Sequence, residues 1–250
     1  MHFTLKAYES LLNKIKENKY SCIFYNEMGT KSKEIIIRHD VDFSLENALE
    51  MAILENHLKV KSTYFVLITS PFYNINEKNA RLSLKKIQEL GHKIGLHFDH
   101  TVYNSNEITD IIKFAVKEVH QLALATESNV NVISFHRPAK FILDANIHFP
   151  HDIINTYSNE FFNQIKYISD SRMCWKENPY EVLKNDIRKI QLLVHPIWYY
   201  SDEKKPNEIL KNFFVNKTNK IYNDMDLNFT NLKEFFVPIN IFMEEENDKL

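Results

Sequence analysis

Apolar runs rich in β-branched and aromatic residues recur along the chain and alternate with segments of helical period, a pattern that predicts strand and helix in turn. The predicted strands span 34–42, 61–68, 93–99, 131–136, 166–170 and 190–195. After the first, Ser44 stands where it can cap a helix running to about Leu58, with Leu45, Ala48, Leu49 and Ala52 along one face. A second helix is predicted to end at Leu90, because Gly91 can take the left-handed conformation that closes a helix. Ile108, Ile111, Ile112, Ala115, Val116, Val119, Leu122 and Ala123 wind one apolar stripe around a helix that starts near Ser105 or Asn106. Further helices are predicted over 207–216 and 231–236, then a last strand over 237–243 and a frayed tail over 244–250.

Repeated alternation of this kind favours parallel strands covered by helices, and a run this long is expected to close into a barrel or a distorted one of about seven strands. No internal repeat, low-complexity linker or Pro/Gly-rich hinge divides the 250 residues, so a single domain is expected.

Composition and charge narrow the chemistry. Lys plus Arg number 31 against 33 acidic residues, a formal net charge of -2 that gives no general attraction to nucleic acid or anionic lipid. The start, Met1 to Lys6, has no basic segment leading into a long apolar run; a cytoplasmic protein without membrane insertion is expected. Cys22 and Cys174 lack any metal-binding or disulfide spacing and are expected to be reduced, partly buried thiols.

The polar residues cluster where the predicted strands finish. Asp40 and Asp42 close one strand, His97 and Asp99 another, His136 and Arg137 a third, Asp170 a fourth and His195 a fifth. In parallel α/β folds these carboxyl-terminal ends converge at one mouth, where active sites are built. Asp40 and Asp42 are two residues apart on a strand and share a face, so two carboxylates enter one site. A divalent cation bound by one of them, with the other as general base, relieves their repulsion. Gly91 and Gly95 are two of only three glycines. Gly95, inside a strand, implies close approach by a neighbour in a tight barrel interior, and His97 at that strand's end offers an imidazole suited to zinc. Trp198, Tyr199 and Tyr200 follow His195 and either form a stacking wall for a ligand ring or pack in the core or at its rim.

These motifs resemble the NodB-like polysaccharide deacetylases, carbohydrate esterase family 4, over about residues 34–198. Arg38-His39-Asp40-Val41-Asp42 resembles the first motif in an Asp-x-Asp form, which implies Asp40 as general base and Asp42 as metal ligand, with Arg38 and His39 in support. The stretch from Gly91 to His97 resembles the second motif and implies His97 as ligand. Ser134-Phe135-His136-Arg137-Pro138 resembles the third, which implies that Arg137 orients the catalytic Asp40. Ser169-Asp170 with Trp175 and the stretch from Leu192 to Pro196 resemble the last two, which implies His195 as proton donor to a leaving amine, with Asp170 to orient it.

Two positions depart from the family pattern. Thr101 stands where a second ligand histidine is usual, so His136 is favoured as third ligand, with His100 next and Asp99 a further alternative. Ala139 replaces the tyrosine that normally follows the third-motif proline, which leaves the oxyanion donor unassigned. The resemblance implies a distorted barrel, a divalent metal such as Zn²⁺, and removal of an acetyl group from an amino sugar. The expected cytoplasmic location makes an intracellular surface-polysaccharide precursor the expected substrate. A non-sugar amide substrate and a sugar-binding protein without activity are the alternatives. His39, His57 and His92 are assigned to structure or surface.

Overall fold

The computed structural model describes residues 2–236. Its strands are β1 (Ser21–Cys22), β2 (Glu34–Val41), β3 (Thr63–Val66), β4 (Lys93–Phe98), β5 (Val132–Phe135), β6 (Ile154–Asn155), β7 (Lys166–Ser169) and β8 (Lys189–Val194). Its helices are α1 (Leu5–Glu17), α2 (Leu45–His57), α3 (Lys78–Glu89), α4 (Ile108–Thr126), α5 (Lys140–Asp144), α6 (Asn159–Phe162), α7 (Pro179–Lys184), α8 (Pro206–Asp226) and α9 (Leu232–Phe235). The chain divides into two compact units between Lys204 and Lys205, and the first holds every strand found among the described residues. In the second, the C-terminal half of α8 meets the end of α9, where the Tyr222 hydroxyl donates to the Phe236 carbonyl at 3.4 Å.

Every strand pairing is parallel, in the order β6-β5-β4-β3-β2-β8-β7, with the short β1 added along the start of β2. The sheet therefore curls into the expected distorted α/β barrel of seven strands, with β6 and β7 as its two edges. Six of the seven coincide with predicted strands. The two-residue β6 is too short to show a period. Helix α1 was not predicted either, although Tyr8, Leu11, Leu12 and Ile15 recur at helical spacing and are fully buried, and Thr4 caps it by accepting from the Ala7 N–H at 3.1 Å. Ser44 caps α2 as expected, accepting from the Asn47 N–H at 3.1 Å, and Gly91 follows α3 at φ +89°. Helix α4 begins at Ile108, with Ser105 bonded to its first turn. Helix α8 runs ten residues beyond the predicted end at 216, because the polar stretch after Asn216 hides its period. The strand expected over 237–243 and the tail over 244–250 lie outside the described residues. Among the described residues no helix is long and apolar enough to cross a membrane.

Alternation along the strands sorts side chains into layers. Outward residues Val41, Tyr64, Val66, Leu96, Phe98, Ile133 and Phe135 pack with α2, α3 and α4. Outward Ile35, Ile37, Ile168, Ile190, Leu192 and Val194 pack with α1 and α7. Inward Ile36, Phe65 and Val132 join Ile23, Tyr25, Phe161 and Ile165 to fill the lower barrel interior. The segment between the two edge strands turns inward to complete this plug: Gln191 Nε2 donates to the Phe161 carbonyl at 3.0 Å, and the Tyr25 and Phe161 rings meet at 5.1 Å. Both cysteines are free thiols; Cys22 is half-buried as expected, whereas Cys174 is exposed rather than partly buried.

Gly95 faces this interior. A Cβ there would lie 2.6 Å from the Phe65 ring and 2.9 Å from Val132, and Phe65 is fully buried. Close approach inside a tight barrel, expected from the sequence, is thus what the structure requires at this position. Gly95→Ala should destabilise the fold by about 1–3 kcal/mol through overpacking. Thermal melting of the variant should show a midpoint several degrees lower; an unchanged midpoint would mean that the Phe65 layer is loosely packed.

Candidate active site

At the carboxyl end of the barrel, inward side chains from β2, β4 and β5 converge. Asp42 follows β2, His97 is the penultimate residue of β4, and His136 follows β5. His97 Nε2 and His136 Nδ1 each stand 3.2 Å from Asp42 Oδ1 and 3.1 Å from one another. The three donor atoms form a nearly equilateral triangle. Neither imidazole makes a well-directed hydrogen bond to Oδ1, which is buried and otherwise without a partner. Donors sharing one cation at about 2.0–2.2 Å are separated by roughly 3 Å, so the triangle fits a single divalent metal. Burial alone would raise the Asp42 pKa, but His136 and His97 beside it hold the carboxyl far below the usual range. Among the described residues no other group of three His, Cys, Asp or Glu side chains comes this close together. His100, the runner-up, stays outside the triangle with its ring beside Phe141 at 5.8 Å. Asp99 is engaged elsewhere, accepting from the Thr101 N–H at 2.9 Å and its hydroxyl at 2.6 Å.

Asp40 lies one inward position below Asp42, with Oδ2 at 3.8 Å from His97 Nε2. Its carboxylate is held side-on by Arg38, through Nη2 to Oδ2 at 2.8 Å and Nε to Oδ1 at 3.2 Å. Burial works to raise the Asp40 pKa, but the Arg38 charge overrides it, so the carboxyl remains ionised. The expectation that Arg137 would orient Asp40 is corrected here. The Arg137 side chain is 75% exposed, its nearest acidic partner is Asp99 at 3.8 Å, and its backbone sits at φ +45°. In that left-handed conformation the residue after His136 turns out of the strand line, and its side chain leaves the barrel.

His195 and Asp170 form a second pair. Asp170 Oδ1 is 2.6 Å from His195 Nδ1, the His195 backbone N–H donates to both carboxylate oxygens at 3.1 Å, and the Tyr199 hydroxyl donates to Oδ2 at 3.0 Å. Burial disfavours a charged imidazole, yet the adjacent Asp170 carboxylate, with Asp40 and Asp42 behind it, lifts the His195 pKa to about 9. The ring is held by Nδ1, which leaves Nε2 as the nitrogen not engaged by Asp170.

Tyr199 is not a cleft wall: its ring is buried against Phe3 and Tyr8, and its hydroxyl completes the shell of Asp170. Trp198 is half-buried and packs against the same outward cluster. The aromatic pair beside Asp42 is Phe43 with Phe72, stacked at 4.8 Å and 18°. An aromatic directly after Asp42 was the available sequence signal for it. Arg38 and Ser134 were equally readable as inward positions, at two-residue spacing from Asp40 and His136.

No family model matches the chain, and no curated protein matches it in sequence. It is similar to the solved structure of the Streptococcus pyogenes deacetylase PplD in complex with acetate, at 10% identity and a TM-score of 0.45, over 76% of this chain and 80% of that one. A family 4 carbohydrate esterase from Bacillus anthracis is similar at 16% identity and a TM-score of 0.40, over 88% and 93%. A pseudoenzyme of the same esterase family from Bacillus anthracis is similar at 13% identity and 0.43, over 85% and 77%. At such identities and scores the likeness adds nothing to the chemistry, which rests on the site itself.

The Asp170–His195 pair makes a direct pH statement. The folded-state pKa of about 9 exceeds the ordinary value, so this pair's contribution to stability is complete below about pH 6.5 and is lost as pH rises through about 9. Asp170→Asn should move the His195 titration down by more than one pH unit, read by NMR of the ring nitrogens. A His195 pKa that stays near 9 in the variant would remove Asp170 as its cause.

Proposed function

We propose that the protein is a metal-dependent hydrolase that removes an N-acetyl or related acyl group from an amino sugar. The observation that carries this reading is the Asp42–His97–His136 triangle, set between an ionised carboxylate and an Asp-paired histidine at one barrel mouth. Asp42, His97 and His136 would hold the cation, and one carboxylate with two imidazoles suits Zn²⁺. When bound, such an ion polarises an acyl carbonyl and acidifies water.

The protein's own groups supply the proton transfers. Asp40, ionised and facing His97, accepts a proton from the attacking water. His195, held protonated by Asp170, donates through its free ring nitrogen to the departing amine. Base and acid are thereby kept in opposite protonation states at neutral pH by two different neighbours, Arg38 for the one and Asp170 for the other. Phe43 and Phe72 offer an aromatic platform for a sugar ring beside Asp42. An acetamido sugar in a cytoplasmic precursor of a surface polysaccharide is the substrate setting we favour, over a non-sugar amide.

Elemental analysis of purified protein supplied with Zn²⁺ should find about one equivalent in the wild type and a loss in both Asp42→Ala and His97→Ala. Asp40→Asn should keep the metal and lower acetate release from N-acetylated sugar oligomers by at least 100-fold, the scale of a general base. A wild type that cannot be loaded contradicts the metal site. A fully active Asp40→Asn contradicts the base assignment, and release of acid only from non-sugar amides favours the second substrate class.

A further inference from the structure

Arg38 has the largest fully buried side chain among the described residues, and its guanidinium is closely surrounded. In its plane, Nη2 reaches Asp40 Oδ2 at 2.8 Å and Ser134 Oγ at 2.6 Å, Nη1 reaches Thr156 Oγ1 at 3.0 Å, and Nε reaches Asp40 Oδ1 at 3.2 Å. The Tyr157 hydroxyl lies 3.3 Å from Nη2. The Tyr157 and Phe65 rings lie 5.1 and 5.4 Å from the guanidinium carbon. A planar cation held by several hydrogen-bond partners and packed against two rings is restrained in orientation, and it passes that restraint to the carboxylate it grips.

We propose that Arg38 is the positioning residue for the catalytic carboxylate Asp40, that it does this from beneath the site through the barrel interior, and that Arg137 has no part in that task. The role rests on the hydrolase reading above. One strand face thus carries three successive functions at alternate positions: the cation at 38, the base at 40 and the metal ligand at 42. Ser134 extends the arrangement to the metal side, because its hydroxyl also stands 3.2 Å from His97 Nδ1, the ring atom opposite the one that faces Asp42. Base and ligand are therefore indexed to the same buried guanidinium. Lysine cannot substitute, since a point charge cannot hold a carboxylate side-on while also donating to Ser134 and Thr156.

The test compares Arg38→Met, Thr156→Val and Arg137→Met with the wild type, all loaded with Zn²⁺, using 4-methylumbelliferyl acetate and triacetylchitotriose as probes. Arg38→Met should retain metal but lose about 100-fold or more in kcat at nearly unchanged KM, as expected when a reacting group is displaced rather than substrate binding weakened. Its crystal structure should show the Asp40 carboxylate turned away from His97. Thr156→Val removes one guanidinium contact without touching Asp40 and keeps the proposal testable if Arg38→Met does not fold; it should lower kcat severalfold with metal content intact. Arg137→Met should stay within about twofold of wild type.

Asp40 unmoved and kcat retained in Arg38→Met, or a loss in Arg137→Met as large as that in Arg38→Met, overturns the assignment, as does a Thr156→Val protein of wild-type kcat if it is the only interior variant to fold. A wild type that binds zinc yet turns over neither probe contradicts the hydrolase reading itself, and is distinguished from the other outcomes by the inactivity of the unsubstituted protein.

Discussion

The buried contact between Arg38 and Asp40 is the constraint around which the barrel is organised. An unpaired guanidinium in this interior would carry a heavy desolvation cost, so the surrounding strands must deliver partners to every donor. They do so from distant parts of the chain: Asp40 from the same strand, Ser134 from β5, Thr156 and Tyr157 from just beyond β6. Because β6 is one edge of the sheet, the bond to Thr156 ties that edge across the interior to the central strand β2. Phe65, which supports one face of the guanidinium, occupies the space that Gly95 leaves open. The glycine at position 95 thus leaves room for a ring that supports the buried cation.

The electrostatics of the mouth follow from that foundation. Two carboxylates, Asp40 and Asp42, enter a largely buried space, and each is kept ionised by a different neighbour: the Arg38 charge for the first, His97 and His136 for the second. On the opposite side Asp170 is fully committed to His195 and Tyr199, which makes His195 the cationic member of the site. A second buried polar cluster on the outer face of β2 is separate from this one. Glu55 accepts there from Tyr8, Ser62 and Tyr64 at 2.5–2.7 Å and contacts His39 at 2.8 Å, and these partners, led by His39, overcome burial to hold its pKa near 2. His39 and His92, which lies 2.9 Å from Ser62, are thereby structural, as their positions in the sequence suggested.

Much of this was legible in the sequence. The alternation of strand and helix, the strand-end placement of Asp40, Asp42, His97, His136, Asp170 and His195, and the interior role of Gly95 all follow from a two-residue strand period and the geometry of parallel sheets. What escaped was side-chain direction where the backbone leaves the strand. Arg137 follows His136 but adopts a left-handed conformation, and no period predicts the resulting turn outward. Tyr199 sits in a tight turn after β8 that folds its ring back toward α1, a helix absent from the sequence reading. Arg38 was visible as an inward position, yet a charged residue in a strand interior is ordinarily assigned to support. Its dominance depends on partners from β5 and β6 that only the three-dimensional register brings together.

If Asp42, His97 and His136 are three ligands of one divalent cation, anomalous scattering from crystals grown with Zn²⁺ should reveal it. A single strong peak is expected within bonding distance of Asp42 Oδ1, His97 Nε2 and His136 Nδ1. A peak bound instead through His100 or Asp99, or no ordered metal at the barrel mouth in crystals that contain zinc, would contradict it.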